Sequence, residues 1–204
     1  MQSHARNSVT LVGTVSQFTN ESNSPEFVIC VNRLSGMQDK IPVAIHPDLA
    51  HIELRDGDEI ALHGTFASHN VIVGDRSKLV LRVIAHEIFN ATEEDYTNPN
   101  LIELTGFICK PPIYRTTPFN REIADMLVAV NRQSTKSDYI PCIAWGKNAR
   151  FCKNLLVGER ILIAGRIQSR EYQKRIDDTN VETRIAYEVS INTIAKAEEE
   201  EPQS

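Results

Sequence analysis

The chain has 204 residues, room for one large domain or for two of about 100 residues each. Its apolar fraction of 41% suits folded protein and not disorder, no apolar run approaches the roughly 20 residues a spanning helix needs, and the opening MQSHARNSVT lacks a signal peptide's apolar core. The formal net charge of −5 excludes a nucleic-acid partner only as an average, because residues 1–98 carry −6, residues 99–197 carry +5, and Glu198 to Glu201 are all acidic.

In chain order, LVGTV from Leu11 opens a strand pattern, VNR follows at Val31 to Arg33, and IP stands at Ile41-Pro42. AHIELRDGD from Ala50 reads as a short helix or turn and runs into DGDEIALHGTF from Asp56. The polar, acidic NATEEDYTNP opening at Asn90 reads as a linker. Beyond it the series returns as LTGFI from Leu104, VNR at Val130 to Arg132, IP at Ile140-Pro141, ARFCKNLLVGE from Ala149 and VGERILIAGRI from Val157. Order and spacing match throughout, so the chain is a tandem duplication.

Each copy shows short period-2 strands between turn signals, with glycines at Gly13, Gly64, Gly106 and Gly165 where a bulge or barrel corner is expected. Five strands and a small helical insertion predict an OB fold. The expected architecture is all-β: two tandem five-stranded OB barrels, each with a short helical insertion, over residues 1–89 and 101–197, with a linker at 90–100 and an acidic tail at 198–204.

Cys30, Cys109, Cys142 and Cys152 lie in apolar stretches without any CxxC, which predicts reduced, buried thiols. His46, His51, His63, His69 and His86 show no metal-ligand spacing, and no nucleophile–base pair or phosphate loop appears. No metal, cofactor or catalytic residue is expected, and the chain reads as a non-enzyme.

DYIPCIAWGKNARF from Asp138 holds the only tryptophan. As a strand, Tyr139 to Trp145 puts Ile140, Cys142 and Ala144 inside and Tyr139, Ile143 and Trp145 outside. An outer face carrying large rings either covers a neighbouring barrel or stacks on something supplied from solution. Arg166 and Arg170 lie at even spacing from Tyr172, which aims all three at one face of the next strand.

The blocks AVNR, DYIPCIAWGKNARF, VGERILIAGRIQSREY and YEVSINTI occur in order over nearly all of residues 101–194 and resemble the bacterial single-stranded DNA-binding protein family. The first copy joins that resemblance only through the repeat. The resemblance implies an OB barrel with single-stranded DNA across its outer face, Trp145, Tyr172 and Tyr139 at ring positions, and Arg115 at a basic position in the first hairpin. Lys147, Arg150, Arg166 and Arg170, with Arg132, are the expected phosphate contacts. Phe151 is expected in the core beside Leu155 and Leu156, and Tyr187 in packing or an interface.

By repeat alignment, Lys40 stands at the position of Tyr139, His46 at Trp145, His69 at Arg170 and Val71 at Tyr172. The first copy therefore reads as a scaffold barrel lying away from the DNA track. The resemblance further implies a homodimer with four barrels, replication proteins as further partners, roles in replication, recombination or repair, and a cytoplasmic, nucleoid-associated protein with no membrane contact. An OB interaction module similar to primosomal replication protein n is the alternative. The closing AEEEEPQS lacks the family's terminal aromatic and reads as a solvated end.

Overall fold

The computed structural model describes residues 6–20, 25–49, 51–132, 136–175 and 180–197; the tail assigned to 198–204 lies outside them. Five strands build the first unit: β1 (Asn7–Thr19), β2 (Glu26–Asn32), β3 (Gln38–Ile45), β4 (Glu59–Val73) and β5 (Arg76–Asn90). Pairings β1 to β2, β2 to β3, β3 to β5, β5 to β4 and β4 back to β1 close them into a barrel, with β3 and β5 parallel and the rest antiparallel. Inward residues of each strand fill it: Val9, Leu11, Ile29, Ile41, Leu62, Phe66 and Val83 are almost wholly buried.

The second unit repeats this with β6 (Asn100–Ile108), β8 (Glu122–Asn131), β9 (Ser137–Trp145), β10 (Arg160–Arg175) and β11 (Val181–Lys196), closed through β6 to β8, β8 to β9, β9 to β11, β11 to β10 and β10 to β6. A short extra strand, β7 (Ile113–Thr116), pairs with β8 on its outer edge. Ile102, Leu104, Ile140, Ile161, Ile167 and Val189 form its core, and the expected inward row of Ile140, Cys142 and Ala144 is buried, but Ile143, expected outside, is buried as well. The architecture is two tandem OB barrels.

Gly64 and Gly165 sit at register breaks in the β4–β5 and β10–β11 hairpins, where the sheet turns a barrel corner. A Cβ on Gly64 would stand 2.2 Å from the Ile84 carbonyl oxygen, and one on Gly165 would stand 2.3 Å from that of Ser190. Only glycine permits that approach.

The helical insertions differ between copies. The second has α1 (Lys147–Cys152), which buries Ala149 and Cys152 over the end of the barrel. The first has a 3-10 turn at Pro47–Leu49 in place of a helix. Phe151, expected in the core, is 38% exposed: α1 turns its small residues inward, and of the two leucines after it Leu155 is buried while Leu156 is exposed.

The two barrels join edge to edge. Asn7↔Leu104, Val9↔Ile102 and Leu11↔Asn100 pair β1 with β6 antiparallel. Because Leu11 and Leu104 are repeat equivalents, this register is symmetric about the Val9–Ile102 pair, so a pseudo-twofold axis runs through it. The pairing makes one continuous eleven-stranded sheet. Between the barrels, the linker makes a 3-10 turn at Glu94–Thr97, and Val12 donates its N–H to the Pro99 carbonyl at 2.8 Å.

Candidate nucleic-acid interface

The pseudo-twofold axis generates two polar locks between the barrels. In the first, Asp39 opens the inward row of β3, is fully buried, and accepts from Arg33 Nε at 2.7 Å, from Arg33 Nη2, and from the Ser169 N–H of β10 at 2.7 Å. The Lys40 N–H donates to Ser169 Oγ at 3.0 Å. In the second, Asp138 opens the inward row of β9 and accepts from Arg132 and from the Ser68 N–H of β4, while the Tyr139 N–H donates to Ser68 Oγ at 2.7 Å. Each carboxylate holds its arginine's pKa above the ordinary value, through the hydrogen bond first.

Of the nine positions expected to meet DNA, the structure brings Trp145, Arg166 and Arg170 together. Trp145 ends β9, 39% exposed, and the two arginines project from the outer face of β10. They line a groove of about 690 Å³ whose other wall belongs to the first barrel, through Arg33 and Lys40, with Arg121 closing one side. Lys40 is exposed, and it and Arg121 have no carboxylate within salt-bridge reach among the described residues. Glu171 is the one acidic group in the wall among the described residues. The expectation that the first copy lies apart from the ring-bearing face therefore needs correction, because locking β3 to β10 brings Lys40 alongside it.

The remaining positions divide. Tyr172 is 36% exposed, carries the Arg170 guanidinium 5.8 Å from its ring centroid, and lines a neighbouring cleft of about 630 Å³ with Lys78, Arg82, Arg184 and Ile185. Tyr139 is 44% exposed at the second lock, outside both hollows. Lys147 is exposed on α1. Three arginines are already hydrogen-bonded to carboxylates, and Arg170 lies 3.8 Å from Glu188 in a looser pair. Arg115 pairs with Asp125 at 2.9 Å, Arg150 pairs with Glu122, and Arg132 is committed to Asp138 and the Ser68 carbonyl. Tyr114 also donates to Glu122, and that bond followed by Arg150 holds the carboxyl below its usual range. Tyr187, expected in packing, lies against the core, where burial raises its phenol.

Sequence reasoning missed the locks. Their signal was present, as an Arg followed six residues later by an Asp in both copies and a Ser at equivalent positions 68 and 169. It missed Arg33 and Lys40 because the first copy's net −6 averages over them.

Comparison with known proteins bears on this arrangement. The pattern of the single-strand binding protein family matches residues 99–195, the whole second barrel. Single-stranded DNA-binding protein 3 of Clostridium acetobutylicum is 30% identical over 96 residues, which cover 44% of this chain and 67% of that protein. The chain belongs to the single-strand binding protein family. Another member, single-stranded DNA-binding protein 1 of Staphylococcus aureus, is 35% identical over 83 residues, 37% of this chain; the match spans 50% of that relative's length. The family match stops short of the first barrel, but the fold does not. The crystal structure of the wild-type single-stranded DNA binding protein from Thermus aquaticus superposes with a TM-score of 0.74 at 17% identity, covering 99% of this chain and 98% of that one. No helix among the described residues is long and apolar enough to cross a membrane.

Proposed function

We propose that this family member binds single-stranded DNA without catalysis and largely without sequence preference. The observation that carries the reading is Trp145: the chain's one indole stands part-exposed in a groove with Arg166 and Arg170. A base stacked on an exposed ring contributes roughly 1–3 kcal/mol whatever its identity, and guanidinium groups beside it neutralise the flanking phosphates. Tyr172 and Tyr139 extend the ring-bearing surface, with Lys147 as a further cation. Tyr139 and Trp145 are six residues apart on one strand, about 20 Å, so a bound strand crosses several nucleotides between them. Arg132, Arg115 and Arg150 are left out of the contact set because each is hydrogen-bonded to a carboxylate, whereas Arg170 stands 3.8 Å from Glu188 with most of its side chain in solvent.

The same reading makes residues 1–89 and 101–197 two cooperating barrels around the 90–100 linker, and the assembly a homodimer with four barrels, since closed twofold symmetry is the commonest arrangement of soluble oligomers. Its setting is the bacterial cytoplasm and nucleoid, where strands are exposed in replication, recombination and repair and replication proteins are at hand.

Fluorescence titration with oligo(dT) at two salt concentrations tests the reading. Stacking quenches Trp145, and Trp145→Ala weakens binding by about 1–3 kcal/mol with the fold intact. Unchanged emission at saturating oligo(dT) removes the site. Sedimentation velocity tests the dimer: a concentration-independent monomer mass rules it out.

A further inference from the structure

We propose that the first barrel is a working wall of the nucleic-acid site: Lys40 from it and Arg166 from the second barrel together seat one phosphodiester of the strand whose base stacks on Trp145, while Arg33 stays with Asp39 and holds the two walls in register. The inference rests on the single-stranded DNA reading and assigns it a seat that neither copy can make alone.

Four observations carry it. Lys40 follows the buried Asp39 on β3, so it points outward, and its N–H is held by Ser169 on β10. That clamp sets an exposed ammonium in the groove with Trp145. Arg166 is left incomplete: one terminal nitrogen donates to Gln168 Oε1 at 3.1 Å, but its Nε is buried with no hydrogen-bond partner among the described residues. A buried guanidinium donor without an acceptor costs free energy that an arriving oxyanion returns.

The charge around it is also out of balance. Burial, and then the Arg33 guanidinium, push the Arg166 pKa below its ordinary value, and Asp39 offsets only part of this. Asp39 has already given its oxygens to Arg33 and to the Ser169 N–H. Two guanidinium groups thus lie near one buried carboxylate, which bonds only Arg33 of the two.

The pseudo-twofold relation supplies a control within the molecule. Arg132, Asp138 and Ser68 repeat the lock, so the lock is what joins the barrels. The extra cations are not repeated. By the repeat alignment, the positions of Arg166, Arg170 and Lys40 are held at the other junction by Thr65, His69 and Tyr139. The lock therefore forms without cations at these three positions, which only one junction carries.

The test uses the full chain with oligo(dT) as probe and Trp145 emission as readout, between 50 and 200 mM salt. Lys40→Gln and Arg166→Gln each remove one phosphate contact, so the slope of log affinity against log salt becomes shallower by about 0.7 each, and about 1.4 in the double variant. Arg166→Gln also leaves the thermal midpoint unchanged or raises it, because repulsion with Arg33 is relieved. Arg55→Gln, an exposed cation away from the groove, leaves the slope as it was. Unaltered slopes in both groove variants with full Trp145 quenching overturn the first barrel's role while the DNA reading stands. A lower thermal midpoint for Arg166→Gln with an unaltered slope makes Arg166 a fold residue and overturns the seat. No quenching in the unsubstituted chain removes both readings.

Discussion

Replacing Asp39 with alanine is the sharpest single perturbation of this fold. The carboxylate is fully buried and accepts two bonds from Arg33 and one from the Ser169 N–H, 130 positions away along the chain. Its removal leaves a guanidinium and a backbone donor facing a gap. Hydrogen bonds to charged groups are worth about 1.5–3 kcal/mol each, and breaking one side of a buried ion pair typically costs about 3–5 kcal/mol. The Arg33 side chain keeps 22% of its surface in water, so partial rehydration puts the expected loss near the lower end, about 3 kcal/mol. Asp138→Ala should cost less, because Arg132 is more open at 39%. Urea unfolding followed by circular dichroism measures both, with the slope of the transition checked for constancy. Replacing both members of the first pair with apolar residues, Arg33→Met with Asp39→Leu, should recover most of the loss. A single-variant loss below about 1 kcal/mol, or a double variant as unstable as Asp39→Ala, refutes the one-sided desolvation argument.

Gly165→Ala places a methyl 2.3 Å from the Ser190 carbonyl oxygen at the β10–β11 bulge and should cost at least the ~1–3 kcal/mol typical of overpacking, read as a lower thermal midpoint. Arg150→Ala should leave oligo(dT) affinity nearly unchanged, since Glu122 already holds that guanidinium, whereas Arg170→Ala, which opens the groove beside Trp145, should weaken it several-fold in the same titration. Burial pushes the Cys142 thiol far above its ordinary range and that of Cys152 up to about 11, so Ellman's reagent at pH 8 should label both only on unfolding, well after part-exposed Cys30.

Barrel strands were legible because period-2 alternation is a local signal. In β3 and β9 the rows Ile41, Val43, Ile45 and Ile140, Cys142, Ala144 point inward as the sequence pattern requires. The corner glycines were legible for the same reason, since Gly64 and Gly165 interrupt an otherwise regular alternation. Helix content was harder to read. The proline at 47 and a single 3-10 turn replace the helix that the matching segment forms in the second copy, and α1 buries its smallest residues in preference to Phe151. At the site, the rings could be placed by strand parity, but the availability of each cation could not. Arg115, Arg132 and Arg150 lie 10, 6 and 28 positions from the carboxylates that engage them, and only the pairing of β7, β8 and β9, with α1 packed beside β8, brings those groups together. The first barrel's wall was hidden most deeply, because it depends on backbone pairing of β1 with β6, which leaves no side-chain pattern of its own.

That pairing has a consequence for behaviour on dilution. A contact symmetric about Val9–Ile102 is the kind two separate identical chains would make, and such a contact falls apart as concentration drops. Here both halves are on one polypeptide with a short connection, so each barrel sees its mate at an effective concentration on the order of millimolar. The groove between Lys40 and Arg166 therefore exists in a single molecule. Its two walls are also free to mutate independently, as a lysine on one side and an arginine on the other, which identical subunits obeying one sequence are not.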